Sequence, residues 1–302
     1  MTKILSQAAV NGCMQHLALD CCNMVGYSTV PQPMPQPSYF SGFQSLPSGA
    51  DVLLMTDAQP LYRRSQEQSD AVVICLHGFT GTPYEVAPAV EAIAHHNCDA
   101  VAPLLPGHGY RERDEQELAF AGITPTKMLD AIRIEVVQAR QRYAKVGMFG
   151  FSMGGAIALT MAAEGLLDAC AVAAPALRLP RQAEVLIPLL GWANFTLEAP
   201  SQEPFYLPTY EFYHARALRT LWQLGRHARQ KLSQIQCPLL GVHSHQDSTV
   251  PPVVLDLMQQ RVPGAIATAW FDQSGHSMLL DVEGPAVAQK VADFFHYWLL
   301  KS

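Results

Sequence analysis

From residue 50 onward, short apolar runs alternate with stretches of helical period, and this alternation restricts the fold more than any other feature of the chain. The runs are 51–55 (DVLLM), 71–77 (AVVICLH), 99–105 (DAVAPLL), 146–151 (VGMFGF), 170–174 (CAVAA), 238–244 (PLLGVHS) and 265–271 (AIATAWF). The internal ones are almost wholly apolar, as parallel strands covered on both faces must be. Helices are expected between them, over 82–95, 125–143, 153–164, 214–234, 252–260 and 285–300. Thr82-Pro83-Tyr84-Glu85 reads as a capping box with proline at the first helical position. Strands and helices in alternation predict an α/β architecture, a mostly parallel sheet with helices on both faces. No internal repeat is visible.

Two regions break the rhythm. Residues 175–213 hold six prolines and the aromatics Trp192, Phe195, Phe205, Tyr206, Tyr210, Phe212 and Tyr213, with no strand pattern. The stretch is too long for an ordinary connection and reads as a cap over a pocket. Residues 1–49 form the other. Val10, Cys13, Met14, Leu17, Cys21 and Met24 make one apolar stripe at helical spacing, followed by the proline-rich spacer 31–42. The expected organisation is thus an N-terminal extension, 1–49, and a body, 50–302, that carries the cap.

Composition excludes several classes. Apolar residues make up 49%, enough for a large core, and the net charge of −6, with no basic run longer than a pair, argues against a nucleic-acid partner. The seven cysteines are odd in number and lack a Cys-x-x-Cys spacing, which fits a reducing cytoplasm better than a disulfide framework. No apolar run reaches the length of a membrane span, and the N-terminus does not read as a signal peptide. A soluble protein is expected. The 111–117 run (RERDEQE) reads as a solvated charged loop.

Chemistry is concentrated in Gly150-Phe151-Ser152-Met153-Gly154, a G-x-S-x-G sequence placed between a strand and a helix. That context is the structural condition for a nucleophile elbow, where a tight turn raises the serine above the sheet at a helix N-terminus. A serine alcohol needs a base and an oxyanion site. His77-Gly78-Phe79-Thr80-Gly81 follows the second apolar run, so the backbone N–H groups of Phe79 and Met153 are the candidate oxyanion donors. His276, after the last strand, is the candidate base, and Asp247, after the preceding one, its orienting acid. Asp272, four residues from His276, is the competing acid; Asp281 and Asp99 are more distant choices. His77 is a rival base whose position before the loop suits bracing it. His243 and His245 form an H-x-H with no third metal ligand nearby, and Pro106-Gly107-His108-Gly109 reads as a tight turn at the sheet top. No dinucleotide or phosphate-loop motif occurs.

HGFTG (77–81), PLLPGHG (103–109), GFSMGG (150–155), the DSTVP run (247–251) and SGH (274–276), in this order, resemble the α/β-hydrolases of the serine esterase and lipase superfamily, among them bacterial carboxylesterases and monoacylglycerol lipases. The resemblance covers about residues 50–300. It implies the α/β-hydrolase fold with a small cap inserted after the sixth strand. It also implies cofactor-free hydrolysis of short- to medium-chain acyl esters or monoacylglycerols by Ser152, His276 and Asp247. Phe79, Met153, Trp192, Phe195 and Val250 are the expected substrate-binding residues. Thioesterase, acyltransferase or C–C hydrolase chemistry on the same triad is the alternative.

Overall fold

The run AVVICL has no polar residue because neither of its faces meets water. In a computed structural model, which describes residues 39–44, 52–264 and 266–301, it is strand β2 (Ala71–Leu76), every residue of it buried. The described residues all belong to the unit 37–302. The helix expected from the apolar stripe lies outside them, as does most of the spacer.

Among the described residues, seven strands form the main sheet. Besides β2 they are β1 (Leu61–Arg63), β3 (Asp99–Ala102), β4 (Lys145–Phe151), β5 (Ala169–Ala173), β8 (Leu239–His243) and β9 (Ile266–Trp270), in the order β1-β3-β2-β4-β5-β8-β9. Only β1 runs antiparallel to its neighbour. The register pairs Leu76 with Gly150, Phe151 with Ala173 and Ala173 with Val242. The C-terminal ends of β2, β4, β5 and β8 therefore lie side by side, and the loops leaving them converge.

Alternate strand residues feed two cores. On one face Val73, Cys75, Phe149 and Ala171 pack on helices α1 (Ala87–His95) and α8 (Gly284–His296). On the other, Val72, Ile74, Met148 and Val172 pack with α3 (Pro125–Arg140), α4 (Met153–Ala163), α6 (Ala215–Lys231) and α7 (Val253–Arg261). The central α4, MGGAIALTMAA, is buried at every position and needs no polar face. Each Leu, Ile or Met it buries contributes about 1.5–3 kcal/mol. Thr124 caps α3 by accepting from Lys127 N–H at 3.2 Å.

The structure corrects several expectations. Of the described residues of the 51–55 run, 52–55, only Leu54 pairs, in a single bridge to Tyr110, so the cap excursion leaves the described sheet after its fifth strand, not its sixth. The capping box does not form: Thr82 makes no cap bond, its buried hydroxyl has no partner among the described residues, and Pro83–Val86 is a 3-10 turn ahead of α1. Glu85 instead turns back beneath the preceding loop. The charged run at 111–117 is not a loop; it opens α2 (Arg113–Ala121), whose Ala119 and Phe120 are buried while Arg113 pairs with Glu117 one turn on. The boundary expected at residue 49 also moves, since Phe40 bridges Leu104 and Tyr39 donates to Glu135 at 2.7 Å within the body.

The cap has structure of its own. Helix α5 (Arg181–Leu190) is followed by a two-stranded antiparallel ribbon, β6 (Thr196–Glu198) with β7 (Phe212–His214). Among the described residues no helix is long and apolar enough to cross a membrane.

Candidate active site

Ser152 stands on the turn between β4 and α4 with φ 52° and ψ −113°, a conformation that L-residues adopt only under constraint. The constraint is visible on both sides. Its N–H donates to Ala173 O at 2.9 Å, and its carbonyl accepts from Ala176 N–H at 2.9 Å. Glycine is obligatory at two neighbours. A Cβ on Gly150 would lie 2.3 Å from Gly154 O, and one on Gly154 would lie 2.3 Å from Leu76 O. These contacts explain the G-x-S-x-G spacing as a close approach of elbow, helix and β2.

His276 arrives on the loop after β9 and Asp247 on the loop after β8. The Nδ1 of His276 lies 2.7 Å from Asp247 Oδ2, and its Nε2 lies 3.1 Å from Ser152 Oγ. A carboxylate only accepts, so Nδ1 carries the proton and Nε2 presents a lone pair to the serine hydroxyl. The other oxygen, Oδ1, accepts from the N–H groups of Thr249 and Val250 at 2.8 and 2.9 Å. Burial alone would raise the Asp247 carboxyl, whose side chain is wholly buried, but the bonds from His276 and Val250 outweigh it and hold it below its ordinary value. The aspartate is thus a fixed anion behind the imidazole.

The rival acids are engaged elsewhere. Asp272 pairs with His245 at 2.9 Å, and His245 stacks on Trp270. Asp281 accepts from Gly275 N–H at 2.9 Å and so braces the loop that carries His276. Asp99 accepts from Tyr143 and Ser65. His77 accepts from Leu105 N–H at 3.0 Å and ties the β2 and β3 exits together; burial holds it well below the ordinary histidine value. His108 is wholly buried, edge-on to His77, and burial lowers it to about 4. His243 is buried and 3.8 Å from Asp247 Oδ2, whereas His245 is exposed, so the H-x-H pair does not converge. Among the described residues no group of three His, Cys, Asp or Glu could hold a metal ion.

Phe79 packs its ring on Phe120 at 4.8 Å and near Tyr213 at 6.0 Å, an aromatic wall beside the elbow. Among the described residues the N–H groups of Phe79 and Met153 have no acceptor. Val250 is buried against the Asp247 loop. Trp192 and Phe195 are not drawn in: Trp192 is 69% exposed and lies under the Arg219 guanidinium at 3.5 Å, and Phe195 gives its carbonyl to Ala215 N–H. Cap contacts to the site come from residues outside the expected substrate-binding set. Tyr210 N–H donates to Thr80 O at 3.0 Å and Thr209 Oγ1 to Thr80 Oγ1 at 2.9 Å. Glu203 accepts from Ser277, next to His276, at 2.6 Å. No local motif marks these bonds, because their partners lie some 70 to 130 residues away in the chain.

The family model described as the alpha/beta hydrolase family matches residues 73–290. The chain belongs to the alpha/beta hydrolase family. The thermostable monoacylglycerol lipase of Bacillus sp. (strain H-257) is 27% identical over 257 residues, covering 80% of this chain and 96% of that protein. The carboxylesterase of Bacillus subtilis (strain 168) is 24% identical over 232 residues, covering 74% and 92%. Among solved structures, one reported with LipS and LipT, two metagenome-derived lipolytic enzymes, matches with a TM-score of 0.73 at 24% identity over 80% of this chain and 98% of its own. The monoacylglycerol lipase of Paleococcus ferrophilus matches at 0.66 and 14% identity over 78% and 97%. These structural likenesses establish the shared fold.

Proposed function

We propose that this hydrolase cleaves carboxylic esters of short- to medium-chain acyl groups, monoacylglycerols included, through Ser152 as nucleophile, His276 as general base and Asp247 as its orienting anion. The observation that carries the reading is the unbroken relay from Ser152 Oγ through His276 to Asp247, at 3.1 and 2.7 Å, set on a strained strand-end elbow. The names of the monoacylglycerol lipase and carboxylesterase relatives support the substrate class.

The chemistry follows from the geometry. As Ser152 Oγ bonds to the ester carbonyl carbon, its proton passes to His276 Nε2, and Asp247 stabilises the imidazolium. The carbonyl oxygen becomes an anion and is received by the N–H groups of Phe79 and Met153, at the N-terminus of α4. His276 returns the proton to the departing alkoxide as the C–O bond breaks, leaving the acyl-serine. Water then attacks in the same way, with His276 as base, and releases the acid. His276 carries every proton transfer in these steps and the two backbone N–H groups only stabilise charge, so the reaction as proposed draws on no cofactor.

The test is hydrolysis of p-nitrophenyl esters from C2 to C12 by the wild type and by Ser152→Ala. Turnover falling by at least about 10³-fold in the variant is expected. Undiminished turnover would refute the nucleophile. Absence of turnover on every ester, with Ser152 still labelled by a fluorophosphonate, would refute the ester class and leave the same triad with another acyl substrate.

A further inference from the structure

Glu85 is a buried carboxyl that takes no part in the proposed reaction steps. It is 7% exposed, and no cation pairs with it among the described residues. An isolated buried carboxyl is expensive to keep, so the contacts it makes indicate its role.

Those contacts are with the loop 78–81. Oε2 accepts from Gly78 N–H at 2.7 Å. At the other end of the loop, a Cβ on Gly81 would lie 2.2 Å from the same carboxyl, so glycine there is what lets the group sit under the loop. Between these points are Phe79, the candidate oxyanion donor, and Thr80, held at φ 67°. A non-glycine residue in that region persists only when its surroundings over-determine it. From the other side the loop is held by the cap, through Tyr210 N–H to Thr80 O. Glu85 is the contact from below, and it grips the residue whose carbonyl carbon is bonded to Phe79 nitrogen.

Two ionisable groups face it: His276, on the loop after β9, and Glu203, on the cap. Burial raises the Glu85 carboxyl, Gly78 N–H and His276 pull it down and Glu203 pushes it up again, and the balance stands at about 7.

We propose that Glu85 is a positioning residue for the oxyanion loop: it fixes the Gly78 end of the Gly78–Phe79 pair so that Phe79 N–H is aimed at the developing anion, and its carboxylate faces the His276 imidazolium formed in the same step. The inference rests on the serine hydrolase reading, and the experiment separates the two. The first readout is the rate at which a fluorophosphonate modifies Ser152, which needs the triad and the oxyanion site but no knowledge of the natural ester. Glu85→Ala slows that rate and kcat on a p-nitrophenyl ester by about 10- to 100-fold, less than outright removal of an oxyanion donor, with KM changed less than about threefold. Glu85→Gln keeps a carbonyl acceptor for Gly78 N–H and, being nearly isosteric, guards against a folding defect. It recovers most of the loss at pH 6, and the wild type then pulls ahead of it as pH rises through 7. Wild-type Ser152 left unlabelled overturns both readings. Labelled wild type with Glu85→Ala within threefold of it in kcat, or a wild-type to Glu85→Gln ratio that is flat from pH 6 to 8, overturns the role of Glu85 alone.

Discussion

Replacing Glu85 by glutamine also yields a stability prediction whose sign and size follow from the same burial. In the fold its carboxyl is held from the ordinary 4.5 up to about 7, chiefly by desolvation. In the unfolded chain it ionises near the ordinary value. Between the two, the native protein keeps a proton that the unfolded chain has released, so this group favours folding at low pH, and that advantage is lost as pH rises through about 7. The distance from 4.5 to about 7 corresponds to a little over 3 kcal/mol, of which roughly 2–3 kcal/mol falls between pH 5 and 8. Glutamine does not titrate. Glu85→Gln should therefore gain about 2–3 kcal/mol on the wild type between pH 5 and pH 8, whatever its offset at pH 5. At about 2–4 °C per kcal/mol, that is a relative gain of several degrees in Tm. Urea unfolding of both proteins at pH 5, 6, 7 and 8, with slopes compared, measures it. A stability difference that stays constant with pH, or a wild type that gains on the variant as pH rises, would refute the argument from burial.

Other substitutions probe the remaining parts of the site. Asp247→Asn places an amide N–H against His276 Nδ1 and shifts the imidazole proton to Nε2, so kcat on p-nitrophenyl esters should fall about 10⁴-fold with little change in KM; a loss under tenfold would remove Asp247 from the triad. Phe79→Pro deletes one oxyanion N–H and should lower kcat roughly 10²- to 10³-fold, with Tm recorded beside it to separate loop distortion from donor loss. Gly154→Ala sets a Cβ 2.3 Å from Leu76 O and 2.7 Å from His77 O, both backbone atoms that cannot swing aside. Thermal unfolding should show a loss of more than about 2 kcal/mol; a wild-type Tm would mean the elbow has slack that these distances deny.

Among the described residues, the cap and the candidate site are joined by bonds between residues far apart in sequence. Thr80 on the 78–81 loop meets Thr209 and Tyr210, and Ser277 beside His276 meets Glu203. A further ion pair, Arg113 to Glu198 at 2.7 Å, anchors the ribbon strand β6 to α2, and its exposure keeps its contribution small.

The order of strands and helices was legible in the chain because each internal strand is apolar on both faces and each helix has its own period. Ser152 was legible for a local reason: only a strand–turn–helix with glycines at close approaches accommodates that elbow. His276 and Asp247 could be picked out as candidates from their places after the last two strands, with Asp272 as the competing acid; loop direction then brings the Asp247 carboxylate under Nδ1 and sends that of Asp272 to His245. Glu85 shows the limit most clearly. Its spacing from Thr82 obeys a local helix-start rule, yet the buried Gly78 N–H offers it a stronger claim, and the capping box is abandoned. The aromatics of 175–213 announced a cap without saying which of them would turn inward; packing left Trp192 at the surface and buried Tyr210 and Phe212. Periodicity and local turn chemistry act over a few residues, so the sequence by itself determined elements and the turn that carries Ser152. Which polar groups meet across dozens of residues is decided by competition among partners that exist only once the sheet has brought its loops together.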